Sequence, residues 1–563
     1  MIKVTGNRIE IETRTLTAKL LNGWLVSLRS KDTGDEYIAN AQPDKGCALE
    51  LVYANNEAIP ISAGPMSTFE AFQITNSIAE VRYHNWDGDG ILLFREDEEN
   101  GDLLIEPSAY STRPGVRSVR YNLKNLRHDL RLVAPLSQGI EIDFDDPFIN
   151  GFRTPWPFGW QAGMVVAAGI KGGVWIHVRD SEFRFKTLNV GAPGDPFGFG
   201  FESDNYGPIT ELLSAGGLVW RINVYKGDWH VPAAIYRDWL WEAYDLKKQE
   251  TLRPEWLDKL SLAITWCPGD LKLLDALSKK IDPRKVIIHF PNWRTHEYDE
   301  DYPYFQASDT GRVFVAKCKG MGFHVMPHCT SMAIDSSLPE FSYLADFTIR
   351  DLETGRRRGW CWVDNSDAMG VPGSHIMLMN RKSNKVMYKV HTAFPTWHSI
   401  LREHIREAVE DMDLENVFID TPHCLYNVRQ SLINNMPTTK GLLQEVSHLQ
   451  AIGRNGRPLY IGGESLNEIT MQRLSFGQIH LSSFNDTEIL ARTGKCDLNR
   501  FMFGKLVCLF GYNNVHGNTK DSEAFMRANL DHGAIPTIQV RSAEEIINPN
   551  PAITKMIKMA NEL

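Results

Sequence analysis

The feature that most constrains this chain is the rhythm of its second half. From about residue 258, short apolar runs recur between amphipathic helical patterns. The runs are "LSLAITW" (260–266), "KVIIHF" (285–290), "GFHVMP" (322–327), "NVFID" (416–420), "PLYIGG" (458–463), "GQIHLSS" (477–483), "KLVCLF" (505–510) and "AIPTIQV" (534–540). Between them stand "DLKLLDALSKK", "WHSILREHIREAVEDM" and "TKGLLQEVSHLQAIG". Uniformly apolar strands separated by amphipathic helices pair in parallel, because each crossover lays a helix over a face of the sheet. Eight such strands predict a (β/α)8 TIM barrel over residues 258–540. Pro536 is the residue least suited to its place, since it cannot donate within a central strand.

The gap between the third and fourth runs is too long for one helix. It holds "FTIRDLETGRRRGWCWVDN" and "HIMLMNRKSNKVMYKV", both hairpin-like. The expectation is a β subdomain inserted at about 341–392 and overhanging the barrel mouth. Residues 1–228 read differently, as short strands around turns: "GWLVSLRSKDTGDEYI", "AEVRYHNWDGDGILLFRE" and "GMVVAAGIKGGVWIHVRD". That pattern predicts an antiparallel β-sandwich. The rhythm changes at "GDWHVPAAIYRDWLWEAYDL", where Pro232 suits a first helical turn and Ile235, Trp239 and Ala243 recur every fourth residue. Residues 229–257 read as a connecting helix and linker, and 541–563 as a C-terminal tail or helix.

Composition narrows the function classes. The chain has 563 residues, 43% hydrophobic and 23% charged, as in a globular protein of more than one domain. No apolar run is long enough for a membrane span. With a net charge of -10 and no basic stripe, nucleic acid is not an expected partner. The eight cysteines include no C-x-x-C pair, which reads as buried free thiols in a reducing compartment. The start, "MIKVTGNRIEIETRT", lacks the order of a secretory signal, so a cytoplasmic protein is expected. Many of the 15 Trp stand in loops beside Pro, Gly, Asn and His, as in "RTPWPFGWQ", "FPNWRTH" and "GWCWVDN". Flat apolar rings so placed suit the faces of sugars, and a carbohydrate is the expected partner. Homo-oligomerisation is left open.

In such a barrel, chemistry collects where the strands finish. The strand ends offer Trp266; His289, Asn292 and Trp293; His328; Asp420 and His423; Glu464; His480 and Asp486; and Asn513, Asn514 and His516. Only Asp420 and Glu464 are carboxylates placed directly at the end of an apolar run, and their strands are consecutive. Neighbouring strands lie ~4.8 Å apart, and a retaining glycosidase needs its carboxyls about 5–5.5 Å apart. The polar residues Thr421 and His423 are expected to keep Asp420 ionised as a nucleophile. The apolar approach "YIGG" is expected to raise the pKa of Glu464 as a general acid. The two glycines would leave room for a sugar ring. Trp266, His289, Asn292, Trp293, His328 and His423 would line the sugar subsite, with no cofactor and no metal. The local alternatives are that Asp420 caps a turn and that Glu464 pairs with a loop Arg or Lys. Two rival functions remain: a metal-dependent hydrolase using the strand-end histidines, which lacks the usual His-x-His after strand one, and a non-catalytic sugar-binding protein.

The layout also resembles a known group. A sandwich similar to the galactose-mutarotase type leads through "AAIYRDWLWEAY" into a barrel carrying "KVMYKVHTAFPTWHSILREHI", then "VFID", then "GGES". This resembles the retaining α-glycoside hydrolases of the endo-α-N-acetylgalactosaminidase and α-N-acetylgalactosaminidase type. The resemblance implies an Asp nucleophile ending the fourth strand, matched by Asp420, and a Glu acid/base on the next, matched by Glu464. Those families carry further β domains after the barrel, whereas here only ~23 residues follow the eighth run. "Thr-Pro-His" after the nucleophile strand matches no family pattern.

Overall fold

The structure is a computed structural model that describes residues 1–39, 48–61, 67–147, 151–191, 197–363, 375–380, 386–479, 496–512, 515 and 522–563. The chain divides into two compact units, Met1–Tyr244 with Arg492–Met502, and Asp245–Ala491 with Phe503–Leu563. The helix His230–Ala243 thus belongs to the first unit and does not stand apart as a connector.

The first unit is built of antiparallel sheets of four, ten and six strands. Two of the turns read from sequence close hairpins: Ile78–Trp86 pairs with Gly88–Glu96, and Met164–Ala168 with Gly172–Val178. The ten- and six-stranded sheets meet through large aromatics. Trp220 of the larger sheet lies 5.2 Å from Phe201 of the smaller, ring centre to ring centre, and its indole N–H donates to Ser203. Burial of each such ring contributes roughly 1.5–3 kcal/mol.

The second unit is a nearly closed barrel of eight parallel strands. They are Leu262–Thr265, Val286–Phe290, His324–Thr330, Asn416–Asp420, Tyr460–Glu464, Phe476–Ile479, Cys508–Gly511 and Thr537–Gln539, hydrogen-bonded in that order with the last beside the first. At the remaining seam Ile535 N–H donates to the Leu509 carbonyl at 2.8 Å. Pro536 stays just outside its strand, and its carbonyl accepts from Ala263 N–H. Three of the helices start where their sequence says. Asp270 caps Leu271–Leu277, Ser308 caps Asp309–Met321, and Pro395 opens Pro395–Met412. Gly322 at φ 93° ends the second of these in the left-handed region where a Cβ would be strained. Among the described residues, no helix is long and apolar enough to cross a membrane.

Between the third and fourth barrel strands lies a small four-stranded sheet, and here one expectation is corrected. Val386–Lys389 and His375–Asn380 do not form a hairpin. They flank Arg358–Val363 on opposite sides, the first antiparallel and the second parallel. The two apolar runs gain more by both pairing with one central strand, which then has no open edge, than by pairing with each other. Ala333–Asp335 completes the sheet against Val386–Lys389.

Candidate active site

Seven barrel strands change character at the same point. The inward side chains Ala263, Ile287, Met326, Phe418, Phe476 and Phe510 form the apolar barrel core. Two residues further along each strand, on the same face, stand Thr265, His289, His328, Asp420, Gln478 and Tyr512, with Glu464 two beyond the inward Gly462. The period of two turns an apolar core into a polar floor within one pleat. Gln478 Nε2–H donates across the barrel to Thr265 Oγ1 at 2.8 Å.

Asp420 and Glu464 share a rung. Ile419 pairs with Gly463 in the parallel ladder, so the next residue of each strand stands level with the other. Both are buried, at 8% and 7% exposure. Their carboxyls are hydrogen-bonded to each other, so one proton is held between two buried acids. Burial, then the charge of Glu464, then that of Asp299 push the Asp420 carboxyl well above the usual carboxylate range, and Lys389 opposes them. This corrects the expected division of labour: Thr421 and His423 do not hold Asp420 ionised. The strand end is buried, and its strong partner is another acid. The backbone carbonyl of Asp420 is fixed by Ser331, whose Oγ–H donates to it at 2.8 Å.

The backbone is strained at the same places. Trp266, Thr421 and Ser465, each immediately after its strand, take φ of 51°, 56° and 45°. For Thr421 this left-handed conformation costs about 1–2 kcal/mol. The glycines play a different part from the one expected. A Cβ on Gly462 would meet Met326, Phe476 and Phe418, and one on Gly463 would meet Leu474 and Pro422. They make room for barrel packing, not for a ligand.

Two histidines form a directed chain. Trp266 N–H donates to His289 Nδ1 at 3.3 Å, so the proton of His289 sits on Nε2. Nε2–H then donates to His328 Nδ1 at 2.9 Å, which leaves His328 protonated at Nε2. That N–H is buried and has no partner among the described residues. Burial pushes His289 down to about 3 and holds His328 well below the usual imidazole range, so both are neutral. The rings of Trp266 and Tyr298 stand against His328. Trp266 and Tyr298 also line an open cavity of about 630 Å³ together with Asn292 and Thr295.

Trp293 is not a cavity residue. It is fully buried, its indole N–H donates to the His328 backbone carbonyl at 2.8 Å, and it lies over Phe305. His423 stands beside the carboxyl pair, with Nδ1 4.0 Å from Glu464 Oε2. His480, Asp486, Asn513, Asn514 and His516 lie outside the described residues. Among the described residues, no three His, Cys, Asp or Glu side chains gather so as to hold a metal ion.

Four residues come from segments with no strand-end signal. Asp299, in the loop after the second strand, is buried and accepts from Trp360 Nε1–H at 3.0 Å. Trp360 belongs to the inserted sheet, as does Lys389, whose ammonium lies 5.0 Å from the centre of the Trp360 ring. Tyr298 stands one residue before Asp299.

Comparisons with known proteins bear on this arrangement. The family described as a domain of unknown function, DUF6259, matches residues 218–432. No curated protein matches the chain. Among solved structures, the chain is similar to the ligand-free α-N-acetylgalactosaminidase NagBb from Bifidobacterium bifidum. The TM-score is 0.67 at 12% identity, spanning 100% of this chain and 93% of that one. The complex of that enzyme with GalNAc matches with a TM-score of 0.67 at 11% identity, over 100% and 92%. The GH36 α-galactosidase AgaB from Geobacillus stearothermophilus matches with a TM-score of 0.50 at 7% identity, over 100% and 86%. At such identities the likeness establishes a shared fold.

Proposed function

We propose that this chain is a retaining glycoside hydrolase acting on an α-linked sugar, with Asp420 as nucleophile and Glu464 as acid/base. The observation that carries the reading is the carboxyl pair on one rung of adjacent strands, at the end of the barrel where such enzymes do their chemistry. Strands ~4.8 Å apart set both acids beside one sugar ring, and a glycoside entering between the hydrogen-bonded carboxyls would part them to the separation of about 5–5.5 Å that a covalent glycosyl-enzyme requires. The fold shared with an α-N-acetylgalactosaminidase supports the α linkage.

The single proton between the two acids is the one the first step consumes. Entry of a glycoside draws it to Glu464, which delivers it to the departing oxygen while the ionised Asp420 attacks the anomeric carbon. Glu464, now a carboxylate, takes a proton from water as that water releases the sugar from Asp420. The His328 Nε2–H supplies a fixed donor for a sugar oxygen, aimed by His289 and the Trp266 amide. Trp266, Asn292 and His423 complete the contacts.

The test is hydrolysis of nitrophenyl α- and β-glycosides, N-acetylgalactosaminides and galactosides among them, with the first-formed anomer read by proton NMR. An α-glycoside released as the α-anomer, and a loss on the order of 10²–10⁴-fold in Glu464→Gln, is the expected result. Release of the β-anomer, or near-normal turnover in either Asp420→Asn or Glu464→Gln, removes the assignment.

A further inference from the structure

We infer that Cys424 stands as a thiolate paired with a protonated His423, and that this ion pair sets how tightly Glu464 holds its proton. Cys424 is then a positioning residue, acting on the reaction through His423. The inference rests on the reading of Glu464 as acid/base.

One imidazole bridges the sulfur and the carboxyl. Its Nε2 lies 3.7 Å from Cys424 Sγ, and its Nδ1 lies 4.0 Å from Glu464 Oε2. At 4.0 Å the contact with Glu464 is an ion-pair distance, longer than a hydrogen bond, so the ring attracts both the sulfur and the carboxylate only as an imidazolium. The sulfur has a second donor, because the Tyr426 hydroxyl is hydrogen-bonded to it, and the Arg358 guanidinium lies 4.2 Å above the Tyr426 ring. Lys389, from the inserted sheet, adds its field to the same group. These are the surroundings that make a thiolate.

Burial acts the other way, since Cys424 is 6% exposed and packs with Met332, Ile349 and Val428. The donors win: the thiol is held down to about 6 although buried, and His423 is raised. Cys267, equally buried with no such partners, is pushed up to about 12. The Glu464 carboxyl also interacts with Asp420, Tyr512 and the neutral pair His289 and His328. None of these supplies a cation. The imidazolium, 4.0 Å from the Glu464 carboxyl, eases its proton release in the first step and favours its carboxylate in the second.

The thiolate is read directly from its ultraviolet absorbance, as the difference between the wild-type chain and Cys424→Ser, titrated with pH. The expected midpoint is near 6. It rises in Glu464→Gln, which removes the acceptor that helps keep His423 charged. In kinetics, Cys424→Ser and Cys424→Ala move the alkaline limb of kcat/KM upward by about one unit, the low end of what an adjacent opposite charge produces. An ordinary thiol midpoint, a midpoint indifferent to Glu464→Gln, or an unmoved alkaline limb overturns the inference. The absorbance arm needs no turnover. If no glycoside is cleaved while the thiolate still responds to Glu464→Gln, the proposed reaction fails and the ion pair stands.

Discussion

Thr421 follows Asp420 with φ at 56°, and Ser465 follows Glu464 with φ at 45°: the two carboxyl-bearing strands leave the barrel through the same strained conformation. A β-branched residue has no local reason to adopt it, and the Thr421 hydroxyl has no partner among the described residues to repay it. The strain fixes the direction in which each acid enters the site. Thr421→Gly is therefore expected to leave folding stability unchanged or raise it by up to about 1 kcal/mol, where the same change at a relaxed loop position would lower it. Denaturant unfolding measures the difference. A clear loss of stability would show that the conformation is held by something other than the strand exit.

A second prediction concerns Glu445, on the helix Thr438–Gln450. It is 1% exposed, and neither carboxyl oxygen has a partner among the described residues. Burial raises its pKa well above the usual 4.5. An acid raised in this way binds its proton more tightly folded than unfolded. Its contribution is favourable below the unfolded pKa and is lost as pH rises from there toward the folded value. Glu445→Gln should thus be the more stable protein in mildly alkaline buffer, by about 1–3 kcal/mol, with the gap closing in acid. Urea unfolding at two pH values tests this, and a gap independent of pH would refute the protonation argument.

Trp293 and Asn292 are adjacent in sequence and should behave oppositely. Trp293→Phe keeps the ring but leaves the buried His328 carbonyl without its donor, at a cost of about 1–3 kcal/mol. Asn292 is exposed and lines the open cavity, so Asn292→Ala should raise KM with little change in melting temperature. If Trp293→Phe spares stability while raising KM, its assignment to the core is wrong.

These contrasts show where sequence reasoning reaches. The barrel strands were legible because a doubly covered strand must be apolar along its length, and the acids because Asp420 and Glu464 interrupt that rule at its end. His289 and His328 were legible at their strand ends as well, whereas Gln478, two residues past Phe476, was not, because the sixth run reads on in sequence to His480. The orientation of Trp293 was not legible, since a loop Trp next to Asn looks alike whether it faces a cavity or a core. The role of Gly462 and Gly463 depended on Met326, Phe418 and Leu474, which come from separate segments. Asp299, Trp360 and Lys389 reach one another only through the loop after strand two and the inserted sheet, whose central strand takes its neighbours out of sequential order. No local pattern encodes that meeting.

Lys389 supplies the last prediction. It is 7% exposed, stacked on Trp360, and its charge lowers the Asp420 pKa against burial, Glu464 and Asp299. Asp420 must be ionised to attack, so the acid limb of kcat/KM follows how tightly it holds its proton. In Lys389→Met the apolar stem is kept and the charge is removed. Asp420 then keeps its proton to higher pH, and the acid limb should move upward by about one unit, with kcat at the optimum falling less than in Asp420→Asn. Trp360 retains its bond to Asp299 in this variant, so melting should change little. A pH profile that shifts downward, or that keeps its acid limb while losing kcat throughout, would mean that Lys389 serves the fold of the inserted sheet and not the ionisation of Asp420.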